Sequence, residues 1–404
     1  MKVKEKFLRY AATDTASEPD SPETPSTDKQ RVFAEMLCDE LRGMGAEDVK
    51  ISDNAYVYAR IPSNVKRDIP KIGFIAHLDT APAVSGTGVK PRVFENYDGG
   101  TLEIGNGVSI RPEEFCHLSN YIGQDIITSS GDTLLGADDK AGIAEIMELC
   151  EILLCDKSIE HGEIGVAFTP DEEIGHGAAL LDIEGFGCKY AYTVDGGALG
   201  ELEYENFNAA SAKIEICGKS IHPGSAKGQM VNAALVAMEL HGLLPALETP
   251  YYTENYEGFY HLVAMRGETE QAELQYIIRD HDRAKFEARK AVMEKACAEI
   301  DRRYGAGTAA LTLRDSYYNM KEKIAPCMFL IENAKKAMEA LGVTPKVVPI
   351  RGGTDGARLS FEGLPCPNLC TGGENFHGRF EYIPADDMET ITNLLAQLMW
   401  QLAE

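Results

Sequence analysis

The sequence predicts an α/β protein: a mixed, mostly parallel sheet with flanking helices, interrupted by an inserted ferredoxin-like βαββαβ lid domain. Three observations predict it. Short apolar strands alternate with helices through residues 71–194, the arrangement of sheets with a parallel core. Between residues 208 and 319 the order of elements becomes βαββαβ, the ferredoxin-like pattern. From residue 320 the alternation resumes and closes on an apolar helix at 385–402.

Composition bounds the function. The 404 residues, 44% hydrophobic and 25% charged, suit two domains of ordinary size. A formal net charge of −25 repels phosphate backbones and anionic lipid, which argues against nucleic acid and membrane partners. No stretch approaches the roughly 18 apolar residues of a membrane-spanning helix. The opening MKVKEKFLRY has no apolar run after it, so no secretory leader is expected. The ten cysteines are scattered with no CxxC pair, as in a cytoplasmic enzyme with reduced thiols.

Taken in order, residues 15–28 are rich in Ser, Pro, Thr and Asp and predict a loop. Thr27 and Gln30 have capping-box spacing ahead of a helix. That helix runs to about residue 41 with Val32, Phe33, Met36, Leu37 and Leu41 on its inner face, and Gly43 and Gly45 end it. Residues 71–76, 164–168, 190–194, 346–350 and 366–370 predict strands, and 139–154 an apolar helix. Within the insert, 210–217 is a strand, 229–244 a helix, 259–266 and 271–279 a strand pair, 282–304 a charged helix and 309–314 a strand. Residues 1–207 and 320–404 therefore form one domain, the catalytic one, and 208–319 the inserted lid or substrate-recognition domain.

The chemistry is signalled by position. Four predicted strands run directly into ligand-type residues: His77-Leu78-Asp79, Asp171-Glu172-Glu173, Asp195-Gly196-Gly197, and Gly372-Gly373 followed by His377. In open α/β sheets, sites form beyond the carboxyl ends of the strands. Each of these residues alone has an ordinary structural reading, and it is their coincidence that points to a site. Imidazole with carboxylate suits zinc, with Co2+ or Mn2+ as substitutes. Five ligands, His77, Asp138, Glu173, Asp195 and His377, exceed one open zinc site and fit two metals sharing a carboxylate. The bridge is Asp138, placed just before a helix N-terminus where a carboxylate is favoured. Adjacent glutamates do not readily ligate one metal together, so Glu173 is assigned as ligand and Glu172 as general base. Asp79 stands two residues after His77 and can orient that imidazole.

Together these segments resemble the co-catalytic zinc exopeptidases related to aminoacylase and carboxypeptidase G. The resemblance rests on His77-Leu78-Asp79-Thr80, Gly136-Ala137-Asp138-Asp139-Lys140-Ala141-Gly142, Thr169-Pro170-Asp171-Glu172-Glu173, Thr193-Val194-Asp195-Gly196-Gly197 and His377-Gly378. Further segments are Glu205-Asn206-Phe207-Asn208, Gly258-Phe259-Tyr260-His261, Asp315-Ser316-Tyr317-Tyr318-Asn319-Met320 and Arg351-Gly352-Gly353-Thr354-Asp355-Gly356, so the match covers nearly the whole length. The resemblance implies one zinc on His77 and Asp195, a second on Glu173 and His377, and Asp138 between them. It also implies Asp79 and Glu172 as the catalytic acidic residues, a cis Asp138–Asp139 bond, and an aminopeptidase acting on short peptides, mainly tripeptides, as a monomer or homodimer.

Within that reading, Glu172 takes a proton from the attacking water and returns it to the leaving amine. His222 is a candidate donor to the oxyanion, with a turn or capping role as its ordinary alternative. Arg279 and Arg351 are candidates for clamping the peptide carboxylate bidentately, with surface ion pairing as the alternative. Competing functions are a dipeptidase, carboxypeptidase or N-acyl amino acid hydrolase on the same fold, and a zinc-containing binding protein without catalysis. Nucleotide binding is disfavoured because neither GxxxxGK nor a strand-following GxGxxG occurs.

Overall fold

The computed structural model describes residues 2–403. The chain divides into two compact units. One comprises Met1–Tyr204, Glu322–Val348 and Thr354–Glu404, and the other Glu205–Lys321 with Pro349–Gly353.

The first unit is built on an eight-stranded mixed sheet. Its spatial order is Glu47–Ile51, Val57–Ile61, Ile164–Thr169, Ile72–His77, Tyr190–Gly196, Asn368–Cys370, Glu201–Glu203, Lys346–Val347. The central four strands are mutually parallel. Ile72–His77 and Ile164–Thr169 are buried at every residue, because helices cover both faces of such a sheet and the strand sequence becomes a continuous apolar run. The helix Ala137–Cys155 packs on this core with Ile143, Ile146, Met147 and Leu153 fully buried. Gly142 permits its close approach: a Cβ there would lie 1.9 Å from the Val194 carbonyl oxygen.

Several local expectations are adjusted. The strand expected over 346–350 shortens to Lys346–Val347, an edge strand. Ile350 instead bridges to Asn206 in the second unit, so residues 349–353, placed by sequence in the first domain, lie with the second. The 229–244 helix is Ala233–His241, opened by Asn232, whose side chain caps Leu235 N. The helix Asp28–Met44 continues past Gly43 to a left-handed Gly45, and Val32 is 62% exposed rather than on the inner face. Thr27 is its N-cap residue, but no capping box forms. Thr27 Oγ1 donates to the Ala16 carbonyl and Gln30 turns to Asp171.

The second unit is the βαββαβ fold. Its four antiparallel strands lie in the order Phe259–Gly267, Gln271–Asp280, Asn208–Cys217, Ala309–Tyr317. Alternation from Ala210 to Cys217 turns Ala210, Ala212, Ile214 and Ile216 inward. Ala233–His241 and Arg283–Tyr304 close the core through Val236, Leu240, Phe286, Met293 and Ile300. Asp282 caps the long helix by accepting from Lys285 N. Among the described residues no helix is long and apolar enough to cross a membrane.

Candidate metal centre

The parallel strands deliver their ligands at one end of the sheet. His77 is the last residue of its strand and pairs in register with Thr169, three residues before Glu172. Asp195 lies near the end of Tyr190–Gly196. Asp138 sits at the irregular start of the helix Ala137–Cys155, after Gly136 with φ +78°, and its peptide bond to Asp139 is cis. His377, also at positive φ, ends the loop that follows Asn368–Cys370.

These residues form two groups that share Asp138: His77, Asp138 and Asp195, and Asp138, Glu173 and His377. Asp138 turns one carboxylate oxygen to each histidine, Oδ1 at 2.7 Å from His77 Nε2 and Oδ2 at 2.9 Å from His377 Nε2. Asp195 Oδ1 lies 3.4 Å from His77 Nε2, and Glu173 Oε2 lies 3.0 Å from His377 Nε2. The arrangement fits a pair of divalent cations. Two imidazoles and three carboxylates are a zinc-type donor set, and among the described residues Glu173 Oε1 is buried with no hydrogen-bond partner, an acceptor that protein interiors rarely leave unused.

Electrostatics agree. Burial works against the charged imidazole of His77, yet Asp195 and the hydrogen bond to Asp138 hold it protonated well above its usual range. Hydrogen bonds to Asp138 and Glu173 push His377 up to about 11. Burial acts to raise Asp138, but the hydrogen bonds from His377 and His77 prevail and hold it well below the ordinary carboxylate range. Protons thus offset a surplus of carboxylate, the role a bound cation takes over when it displaces them.

A surrounding set of side chains orients the ligands. Asp79, fully buried, has Oδ1 3.3 Å from His77 Nδ1. The same carboxylate accepts from Glu172 N at 2.9 Å and Glu173 N at 3.2 Å. One residue therefore orients the imidazole and fixes the backbone of both glutamates. Burial, then the Asp195 charge, raises the Glu172 carboxyl well above its usual value.

Sequence reasoning missed several of these supports. Asp139 accepts from His77 N at 3.1 Å. Asn368 Oδ1 accepts from Asp195 N at 3.1 Å. Asp355 accepts from Thr169 Oγ1 and Ala178 N, at 2.8 and 2.7 Å, and so pins the segment after Glu173. Glu381 gathers the backbone N–H groups of Leu135, Gly136, Ala137 and Asp138. The signals were Asp139 within Gly136–Gly142, Asp355 within Arg351–Gly356 and Glu381 four residues after His377.

The other three candidates lie in the second unit. His222 is exposed, and its Nδ1 accepts from Gly224 N at 3.2 Å in a short turn. Arg279 donates to Tyr317 Oη and stacks on that ring at 4.8 Å, with burial lowering its pKa to about 10 and no carboxylate contributing. Among the described residues it is in no surface ion pair. Arg351 spends its Nη groups on the loop at 253–257, donating to the carbonyls of Asn255, Glu257 and Thr253 at 2.7, 3.0 and 3.2 Å.

Residues 204–308 match the model of the peptidase dimerisation domain family. Peptidase T of Clostridium perfringens is 53% identical over 403 residues, covering 100% of this chain and 99% of that protein. The chain belongs to the peptidase T family. The structure of aminopeptidase PepT from Bacillus cereus aligns over 100% of this chain and 98% of its own, with TM-score 0.80 and 25% identity. A Bacillus subtilis protein described as a dinuclear metal-binding peptidase of the M20 family shares the fold, with TM-score 0.66 at 16% identity over 99% of this chain and 97% of its own. The resemblance drawn from the motifs is therefore correct at the level of family, fold and class: the chain is a metal-dependent peptidase.

Proposed function

We propose that the chain is a di-zinc aminopeptidase that removes the first residue from tripeptides. The observation that carries this reading is Asp138, whose two carboxylate oxygens each face one histidine-containing ligand group. His77 and Asp195 would hold one zinc, Glu173 and His377 the other, with Asp138 shared. Bound there, the metals would supply Lewis acidity for the scissile carbonyl and lower the pKa of the attacking water.

The chain's own residues supply the rest. Glu172 stands beside the ligands with a carboxyl biased towards protonation by burial, as suits a group that takes a proton from water and passes it to the leaving nitrogen. Asp79 keeps His77 and Glu172 in register. In the second unit, Arg279 has an aromatic partner but no counter-ion, which suits it to the peptide carboxylate. Arg351 supports this recognition by shaping the 253–257 loop, and His222 is the candidate oxyanion donor.

Metal analysis combined with rates on free and N-blocked di-, tri- and tetrapeptides tests the reading. Two zinc per chain and fastest turnover of free tripeptides are expected. Equal turnover of N-acetylated peptides would make it an N-acyl amino acid hydrolase. Exclusive cleavage of dipeptides, or release of the last residue, would make it a dipeptidase or a carboxypeptidase. Bound metal without turnover would make it a binding protein.

A further inference from the structure

Residues 14–27 form a strap with no assigned role, and the structure ties it to both catalytic peptides. On one side it meets the residue after Asp79: Ala16 bridges to Thr80, Ser17 N donates to Thr80 O at 3.3 Å, and Thr80 N donates to Thr15 O at 3.3 Å. On the other side it meets the residue before Glu172. Ser26 donates to Asp171 from its backbone N at 2.8 Å and from Oγ at 2.5 Å. Gln30 Nε2 donates to the same carboxylate at 2.7 Å, while Asp171 N donates to Gln30 Oε1 at 3.0 Å. Asp171 is fully buried at φ +59°, so this clamp also holds the turn that presents Glu172 and Glu173.

Glu18 is fixed by the same knot, since its backbone N donates to Ser26 Oγ at 2.9 Å. It lines a cavity of about 570 Å³ with Pro19, Ala81, Pro82, Ala83, Glu173 and His377. That volume lies within the range of small-ligand sites. Two of these residues are metal ligands and four are apolar. Glu18 is the one ionisable group there outside the ligand set, and its exposed carboxylate has one oxygen accepting a 3.3 Å bond from Asp20 N. An aminopeptidase must recognise a free ammonium next to the scissile carbonyl, and a carboxylate beside the site is the group that receives it through a charge-assisted hydrogen bond.

We propose that Glu18 receives the α-ammonium of the substrate's first residue and so enforces the requirement for a free amino terminus. The four apolar neighbours suit that residue's side chain. The inference rests on the aminopeptidase reading above, and the test separates the two. Zinc-loaded wild type, Glu18→Gln and Glu18→Asp are assayed on matched tripeptides with free and N-acetylated termini, with metal content and thermal unfolding measured alongside. The expected result is a KM for the free tripeptide raised about tenfold or more in Glu18→Gln, the loss of one charge-assisted hydrogen bond. Its kcat changes little, the free-to-blocked ratio of kcat/KM falls by the same factor, and Glu18→Asp recovers part of it. Full retention of that ratio in Glu18→Gln overturns the Glu18 proposal and leaves the aminopeptidase reading standing. Loss of metal or of folding in Glu18→Gln also overturns it, because the strap then acts by supporting the site. A wild-type enzyme that does not distinguish the two substrates overturns both.

Discussion

Glu381 accepts the backbone N–H of Asp138 at 3.2 Å, the last of four consecutive amides that its carboxylate gathers. Because His377 lies four residues earlier, a single segment supplies one candidate metal ligand and anchors Asp138, which both candidate groups share. Glu381→Gln is expected to lower affinity for the metal pair by about ten- to a hundredfold, the usual cost of removing a ligand-orienting partner. Chelator competition measures this, and unchanged affinity would show that the contact is structural only.

Among the described residues Glu172 belongs to neither group of side chains that could hold a metal ion. Glu172→Gln should retain two metals per chain and lose about a hundred- to ten-thousandfold in kcat, the range for removal of a general base. Metal content and single-turnover rates on the same preparation decide it. Loss of metal together with activity would assign Glu172 to ligation.

Neighbouring carboxylates raise His77 well above the ordinary imidazole value of 6.5 and His377 to about 11. A ligand must shed its proton to bind metal. The raised values favour the charged imidazoles, so metal binding is expected to release protons and apparent affinity to rise with pH. Calorimetry in two buffers of different ionisation enthalpy reads the proton count directly. A count of zero near neutrality would contradict the assignment.

Among the described residues Arg279 has no carboxylate partner. Arg279→Ala is expected to raise KM for tripeptides about tenfold or more, as for the loss of a charge-assisted bond, and to spare peptides whose carboxyl end is amidated. An equal effect on both would remove the clamp from the mechanism.

Glu145 is fully buried in the helix Ala137–Cys155, with neither carboxylate oxygen hydrogen-bonded among the described residues. Burial, reinforced by Asp387, raises its carboxyl well above 4.5. A raised carboxyl binds its proton more tightly in the folded state, so its contribution is greatest below 4.5 and is lost as pH rises towards the folded value. Glu145→Met should therefore stabilise the protein by about 1–3 kcal/mol, more at alkaline than at acid pH. Denaturant unfolding at the two pH values checks the sign, and a destabilised variant would show that Glu145 has a partner in solution.

The residues that gather at the candidate metal centre were partly legible in the sequence, because an apolar strand that stops abruptly at His77, Asp195 or the segment before Glu173 marks its own carboxyl end. The strand read at 210–217 is also present, and the structure shows it half-buried where Ile72–His77 is buried throughout. Less was legible where the partner is distant in the chain. Arg351 looks like a free clamp in a Gly-rich loop, yet its guanidinium closes on carbonyls about a hundred residues away, at 253–257.

The sequence by itself determined the order of elements, the donor types and the family motifs, all properties of short contiguous stretches with a period or a spacing. Tertiary structure alone decided that Glu381 braces Asp138, that Asp171 is knotted to Ser26 and Gln30, and that Glu18 shares a cavity with Glu173 and His377. A carboxylate's partner is whichever N–H or cation the fold brings within about 3 Å, and nothing in its own neighbourhood along the chain records which that is.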